Sequence, residues 1–220
     1  PENRESTQKA DNPPTTTEPP TTAVTDVGEL VYKRALKSTA FVSTEDGIGS
    51  GVLIDSQNKL LVTAYHVISD NNNIRVGFPI YDADGNTVSS YDAYFKNTRP
   101  ISAEVLRTDE AKDLAILRLA TLPDTAREIK LSKNQARPGQ TVFTLGNPGA
   151  SEALWVFSSG SVRQNLEDFQ IVYDNGQTVR CKIVQTQNPT NPGDSGGPLL
   201  NRQGELVGIT SGGNAEQNTD

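Results

Sequence analysis

Short apolar runs recur along most of this chain at intervals of roughly ten residues, and roughly a dozen of them are set off by Gly, Pro, Asn or Asp. They include "GVLID", "KLLVTA", "NIRVGF", "ISAEVLRT", "LAILRL", "TVFTLG", "ALWVFSSGSVRQ", "FQIVY", "TVRCKIVQT" and "ELVGITS". Runs this short suit strands, and no interval between them requires a long helix. The rhythm is that of sandwiches and closed barrels. The 18 glycines and 13 prolines supply the turns such a chain needs, so an all-β fold is predicted. A short amphipathic helix is expected from Glu29, followed by a strand around 38–44, a turn at Asp46-Gly47 and a paired strand through Val52–Ile54. The stretch "ATLPDTAREIKLSKNQARPGQ" interrupts the rhythm near the middle. Two barrels of about 90 residues each, meeting near residue 123, fit this division.

Residues 11–25 contain four prolines and six threonines and almost nothing that could enter a core. Residues 1–28 are therefore expected to form a disordered, Thr/Pro-rich linker or stalk ahead of an N-terminal barrel over 29–122 and a C-terminal barrel over 123–220. The chain opens on Pro1 with neither Met nor an apolar leader, as expected of a mature or excised piece of a longer product. A net charge of −7 argues against nucleic acid or an anionic membrane surface as partner, and no apolar run is long enough to span a bilayer. The single cysteine, Cys181, alternates with charged neighbours in "TVRCKIVQ" and reads as a small buried residue rather than a reactive thiol. One His and one Cys cannot build an ordinary zinc site without several carboxylates, and no metal or cofactor is expected. The sequence carries no signal for a particular oligomeric state.

Chemistry concentrates at three places. "NPGDSGGPLLN" (191–201) surrounds Ser195 with glycine and proline, which forces a tightly shaped loop ahead of a strand. The only histidine, His66, ends the apolar run "LLVTAYHVI", and Asp113 opens the run "DLAILRL". Each has an ordinary reading alone: a turn, a structural imidazole, a strand-entry carboxylate. Together they supply what an acyl-transfer site requires. A serine hydroxyl needs a base to take its proton, that base needs a carboxylate to hold its tautomer, and the developing oxyanion needs donors already in place. Gly193 lets its own N–H and that of Ser195 point to one spot, while Gly196 and Gly197 are expected to leave room for a substrate backbone.

The motifs "TAYHV", "DLAIL", "LGNPG" and "NPGDSGGPLLNRQGELVGITS", in this order, resemble the trypsin-like serine peptidases and are most similar to bacterial HtrA/Deg-type protease domains. The resemblance covers residues from about 29 to 213 and implies a chymotrypsin-like pair of six-stranded antiparallel β-barrels with the site in the cleft between them. By resemblance Ser195 is the nucleophile, His66 the general base and acid, and Asp113 its orienting carboxylate. Gly193 and Ser195 then provide the oxyanion hole, and the run Thr210, Ser211, Gly212, Gly213 matches an edge on which a substrate lies as an added strand. The implied activity is a serine endopeptidase acting on extended or unfolded polypeptides through an acyl-enzyme, outside the cytoplasm. The alternative is a catalytically silent protease-fold module that binds peptides. Three features depart from the pattern. The last strand is expected to be truncated and one wall of the specificity pocket missing, the PDZ domain into which HtrA-type enzymes continue is not expected within these residues, and Asp194 occurs without an activation sequence, so it is expected to accept local hydrogen bonds. Pro189 stands where Lys/Arg-cleaving relatives carry a carboxylate, which implies an uncharged pocket for small or medium apolar side chains.

Overall fold

The structure is a computed structural model that describes residues 26–212 apart from 70, 150, 151, 173–175 and 177. The linker expected over 1–28 lies outside the described residues except for its last three positions, and Val27 and Gly28 already belong to a helix, α1 (Val27–Ala35). It starts two residues before the expected position because Asp26 caps it, accepting from Gly28 N at 2.6 Å. Glu29 in the first turn and Lys33 and Arg34 in the last suit the helix dipole, and Val31 and Ala35 form the buried stripe.

Strands β1 (Thr39–Ser43), β2 (Ile48–Asp55), β3 (Leu60–Ala64), β4 (Ile74–Gly77), β5 (Ile101–Asp109) and β6 (Leu114–Leu119) close an antiparallel barrel in the order β1-β2-β3-β6-β5-β4. The β1–β2 hairpin turns at Asp46-Gly47 as expected, with Thr44 N bonded to Gly47 O at 2.9 Å. The unbroken apolar run in β2 has a packing reason. Leu53 fills the barrel with Leu61 and Leu117, whereas Val52 faces a different cluster that contains Phe41 and Leu145. A strand buried on both faces loses the alternation that a half-exposed strand keeps.

Strands β7 (Thr141–Gly146), β8 (Val156–Val172), β9 (Thr178–Thr186), β10 (Pro198–Leu200) and β11 (Leu206–Ile209) form a second antiparallel sheet, ordered β11-β10-β7-β8-β9, that is nearly closed. The expected all-β double barrel is therefore present, the second sheet having five strands among the described residues. The runs "ALWVFSSGSVRQ" and "FQIVY", separate in the sequence pattern, contribute to one long strand, β8, over Val156–Val172. A register shift between Leu166 and Phe169 absorbs the polar interval, and Arg180 of β9 grips Asp168 through two bonds of 2.6 and 2.5 Å. Cys181 of β9 is half-buried, and burial first, then the charge of Asp113, pushes its thiol up.

Between β4 and β5 a stretch without strand pattern carries a short helix, α3 (Tyr91–Asn97), numbered after α2 (Tyr65–Ile68), which follows β3. Tyr94 and Phe95 of α3 meet Phe41 edge-on or tilted, with ring centroids 5.3 Å apart in each case, and Trp155 lies 6.1 Å from Tyr94. The Trp155 indole donates to Val88 O at 3.1 Å. The largest apolar cluster thus draws on both sheets: Phe41, Val52 and Val62 from the first, Phe143, Leu145 and Leu200 from the second.

Candidate active site

His66 is the second residue of α2, which follows directly on β3, and Asp113 closes a 3-10 turn (Glu110–Lys112) just before β6. Because β3 and β6 pair from Leu60–Arg118 to Ala64–Leu114, the two residues emerge side by side from neighbouring strands. Tyr65 N donates to Asp113 O at 3.1 Å and fixes that junction. Asp113 adopts φ 55°, a left-handed conformation unusual for a residue with a side chain.

The Asp113 side chain is fully buried and accepts hydrogen bonds from His66 and Ser211 among the described residues. His66 N donates to Oδ1 at 2.9 Å, and Oδ2 takes both His66 Nδ1 at 2.8 Å and the Ser211 hydroxyl at 2.5 Å. Burial alone raises such a carboxyl, but the bonds from His66 and Ser211 outweigh it and hold Asp113 below the ordinary carboxylate range. An ionised carboxylate has only acceptors, so the neutral His66 ring carries its proton on Nδ1 and its basic lone pair on Nε2.

Ser195 comes from the other sheet, in the loop before β10, and its hydroxyl donates to Ser211 O at 3.3 Å. Ser211 therefore joins Asp113 through its side chain to Ser195 through its backbone. Among the described residues, the N–H groups of Gly193 and Ser195 take no acceptor from the protein. Gly193 requires glycine: its φ is +104°, and a Cβ there would lie 2.3 Å from Asn147 O. Gly196 does too, for a reason different from the expected one. A Cβ at Gly196 would meet Ser50 O at 2.0 Å, and one at Gly197 would meet Leu145 O at 2.6 Å, so this pair admits the neighbouring strands instead of a substrate backbone. Asp194 accepts locally as expected, from Asn191 N at 2.8 Å, although burial keeps its carboxyl raised.

The remaining candidates divide. Thr210 pairs through both backbone groups with the serine loop, donating to Gly197 O at 2.9 Å and accepting from Gly196 N at 2.6 Å, so it anchors that loop rather than offering an edge to a substrate. Ser211 and Gly212 follow it beside Ser195, and Gly213 lies outside the described residues. Pro189 is exposed next to the buried Asn188. Two contacts were not legible in the sequence. The Ser211–Asp113 bond joins positions 98 apart, and Ser50, hidden between glycines in "GIGSGV", donates its hydroxyl to Gly193 O at 2.8 Å. Among the described residues no group of His, Cys, Asp and Glu is arranged to hold a metal ion.

A closed barrel and a nearly closed one, with imidazole and carboxylate on the first and a serine loop on the second, define the chymotrypsin-like double-barrel class. The chain belongs to the trypsin-like peptidase domain family, which it matches over residues 49–209. It is 29% identical over 177 residues to the serine protease Do-like HtrA of Lactococcus lactis subsp. lactis, covering 76% of this chain and 39% of that protein. To the chloroplastic protease Do-like 8 of Arabidopsis thaliana it is 32% identical over 193 residues, covering 85% and 40%. The chain thus spans about two fifths of the length of these curated relatives. Among solved structures, the active form of the Rv3671c protease from M. tuberculosis superposes with a TM-score of 0.67 at 22% identity, covering 94% of this chain and 85% of that one. The crystal structure of Deg5 gives a TM-score of 0.63 at 25% identity, with 85% of each chain covered.

Proposed function

We propose that this chain is the proteolytic unit of a serine endopeptidase, with Ser195 as nucleophile, His66 as general base and acid, and Asp113 as the carboxylate that orients the imidazole. Ser195 Oγ attacks the scissile carbonyl carbon as its proton passes to His66 Nε2, and the carbonyl electron pair moves onto oxygen, where the Gly193 and Ser195 N–H groups receive it. Collapse breaks the C–N bond, and the proton on Nε2 leaves with the amine. Water then repeats the sequence on the ester, releasing the carboxylic acid and restoring Ser195. The observation that carries this reading is the buried Asp113 carboxylate, which fixes the proton on His66 Nδ1 while sharing Ser211 with the serine.

The substrate is an extended polypeptide segment that pairs with Ser211, Gly212 and Gly213 as an added strand, with a small or medium apolar side chain toward Pro189. The division of labour follows the chain, residues 29–122 carrying base and carboxylate and 123–220 the nucleophile. We place the domain outside the cytoplasm on the strength of its Thr/Pro-rich stretch and its Do-like relatives; no helix among the described residues is long and apolar enough to cross a membrane.

A fluorophosphonate tests the reading directly. The wild-type protein is expected to be labelled covalently. Ser195→Ala is expected to abolish labelling and to lower peptide hydrolysis by at least about 10⁴-fold. Undiminished hydrolysis in that variant would overturn the assignment. A folded wild type that neither labels nor hydrolyses casein would instead support a silent peptide-binding module.

A further inference from the structure

We propose that Ser50 and Asn147 are positioning residues that hold the oxyanion hole open, Ser50 by clamping the backbone of the serine loop from the opposite barrel and Asn147 by orienting the Ser50 hydroxyl. The inference rests on the reading of Gly193 and Ser195 as oxyanion donors.

The clamp begins with the arithmetic of one hydroxyl. Ser50 is fully buried, and its oxygen accepts from Asn147 N at 3.1 Å and from Asn147 Nδ2 at 3.0 Å. A hydroxyl has two acceptor positions and one proton. With both acceptor positions filled, the proton is directed to Gly193 O, 2.8 Å away. The Asn147 amide is itself fixed the right way round: its Oδ1 accepts from Trp155 N at 3.1 Å and its Nδ2 also reaches Ala40 O at 3.3 Å. The Ser50 backbone completes the grip, its N–H donating to Ser195 O at 2.7 Å and its carbonyl accepting from the Thr63 hydroxyl at 2.7 Å.

With the loop's own bonds, the four peptide planes that begin at Pro192, Gly193, Asp194 and Ser195 are each pinned through the carbonyl. Pro192 O accepts from Gly149 N at 3.1 Å, Gly193 O from the Ser50 hydroxyl at 2.8 Å, Asp194 O from Gly197 N at 3.0 Å and Ser195 O from Ser50 N at 2.7 Å. In a trans peptide the N–H points opposite to the preceding carbonyl. Holding Pro192 O and Asp194 O on one side therefore turns the N–H groups of Gly193 and Ser195 to the other. Gly193 is the weak point, since glycine at φ +104° resists rotation least. Its carbonyl is the one held by a side chain, so it is the one that mutation releases. Without the hydroxyl, Gly193 O is buried without a donor and the peptide turns to find one. That turn swings the Gly193–Asp194 plane, changing ψ at Gly193 and φ at Asp194, so the two flanking planes that carry the Gly193 and Ser195 N–H groups no longer aim them at one spot.

The test compares Ser50→Ala and Ser50→Cys with wild type, using a chromogenic peptide ester and amide, with thermal melting alongside. Removing one oxyanion donor outright costs about 10² to 10³ in kcat, so misdirecting it in Ser50→Ala is expected to cost about 10- to 100-fold in kcat with KM within about threefold. Ser50→Cys keeps a weak donor of similar size and is expected to fall between. Val42→Ala, in the same barrel but away from the loop, is expected to lower the melting temperature while leaving kcat near wild type. A Ser50→Ala variant that turns over within about threefold of wild type overturns the clamp. So does a loss of kcat that Val42→Ala reproduces at equal stability, or a failure of both Ser50 variants to fold, since each makes the residue merely structural. The underlying reading fails separately: if wild-type hydrolysis survives Ser195→Ala, the nucleophile is wrong whatever Ser50 does.

Discussion

Asp113 concentrates the chemistry of this site in one side chain, because three donors converge on a carboxylate with no exposed surface. Asp113→Asn keeps the shape but supplies an amide N–H where His66 Nδ1 needs an acceptor. The imidazole then carries its proton on the wrong nitrogen, and kcat is expected to fall by about 10³- to 10⁴-fold with the fold retained, measured on a peptide ester with circular dichroism as control. The same carboxyl sets a pH signature. Its folded-state value lies below that of the unfolded chain, so its contribution to stability is complete above the ordinary carboxylate range. That contribution is lost as pH falls through the depressed folded value, and the melting-temperature gap between wild type and Asp113→Asn should narrow on acidification from pH 7 toward pH 3. A constant gap would contradict the linkage. Much of this was legible beforehand: His66, Asp113 and Ser195 stand where apolar runs meet turns, and each has the functional group acyl transfer demands. The supporting hydroxyls of Ser50 and Ser211 were not, because serine is unremarked in any turn and their partners are set by sheet register.

Strands were legible wherever one residue run maps to one strand, as in β6 and β7, whose limits coincide with "LAILRL" and "TVFTLG". Legibility failed where tertiary contacts override local pattern. The polar "NLED" separates two apolar runs in the sequence, yet the long β8–β9 hairpin carries it across a register shift, with Asp168 and Glu167 paired to Arg180 and Lys182 of the facing strand. Helix α3 was equally hidden, since "YDAYFKN" is too short for periodicity to show, and it is its aromatic contacts that hold it. Those contacts meet at Trp155, which is 3% exposed and also hydrogen-bonds through its indole. Trp155→Ala is expected to cost about 3–5 kcal/mol, read from urea unfolding, whereas a loss below about 1 kcal/mol would mean the cluster repacks around the gap.

At the scale of the whole molecule the two sheets are not separate bodies. Their largest apolar cluster is common to both, and the connection between them is stitched to each side: Arg127 N bonds to Lys37 O at 2.8 Å and Ile129 N to Leu53 O at 2.8 Å, while Lys130 O accepts from Leu206 N at 2.8 Å. Neither half can bury that cluster alone. Polypeptides 29–122 and 123–220, made separately, are expected to bind a hydrophobic dye and to lack cooperative melting, whereas mixing them should suppress dye binding and restore fluorophosphonate labelling. A half that melts cooperatively by itself would refute this. The shared cluster also sets an order of events in time. On the proposed roles, base and carboxylate are encoded in the first half and the nucleophile in the second, and the loop bearing Ser195 is held in part by Ser50 of the first barrel. On that reading, a chain still being synthesised, or threaded unfolded through a narrow pore, passes its own peptide bonds beside no finished catalyst, and cutting power would arrive only with both halves in place.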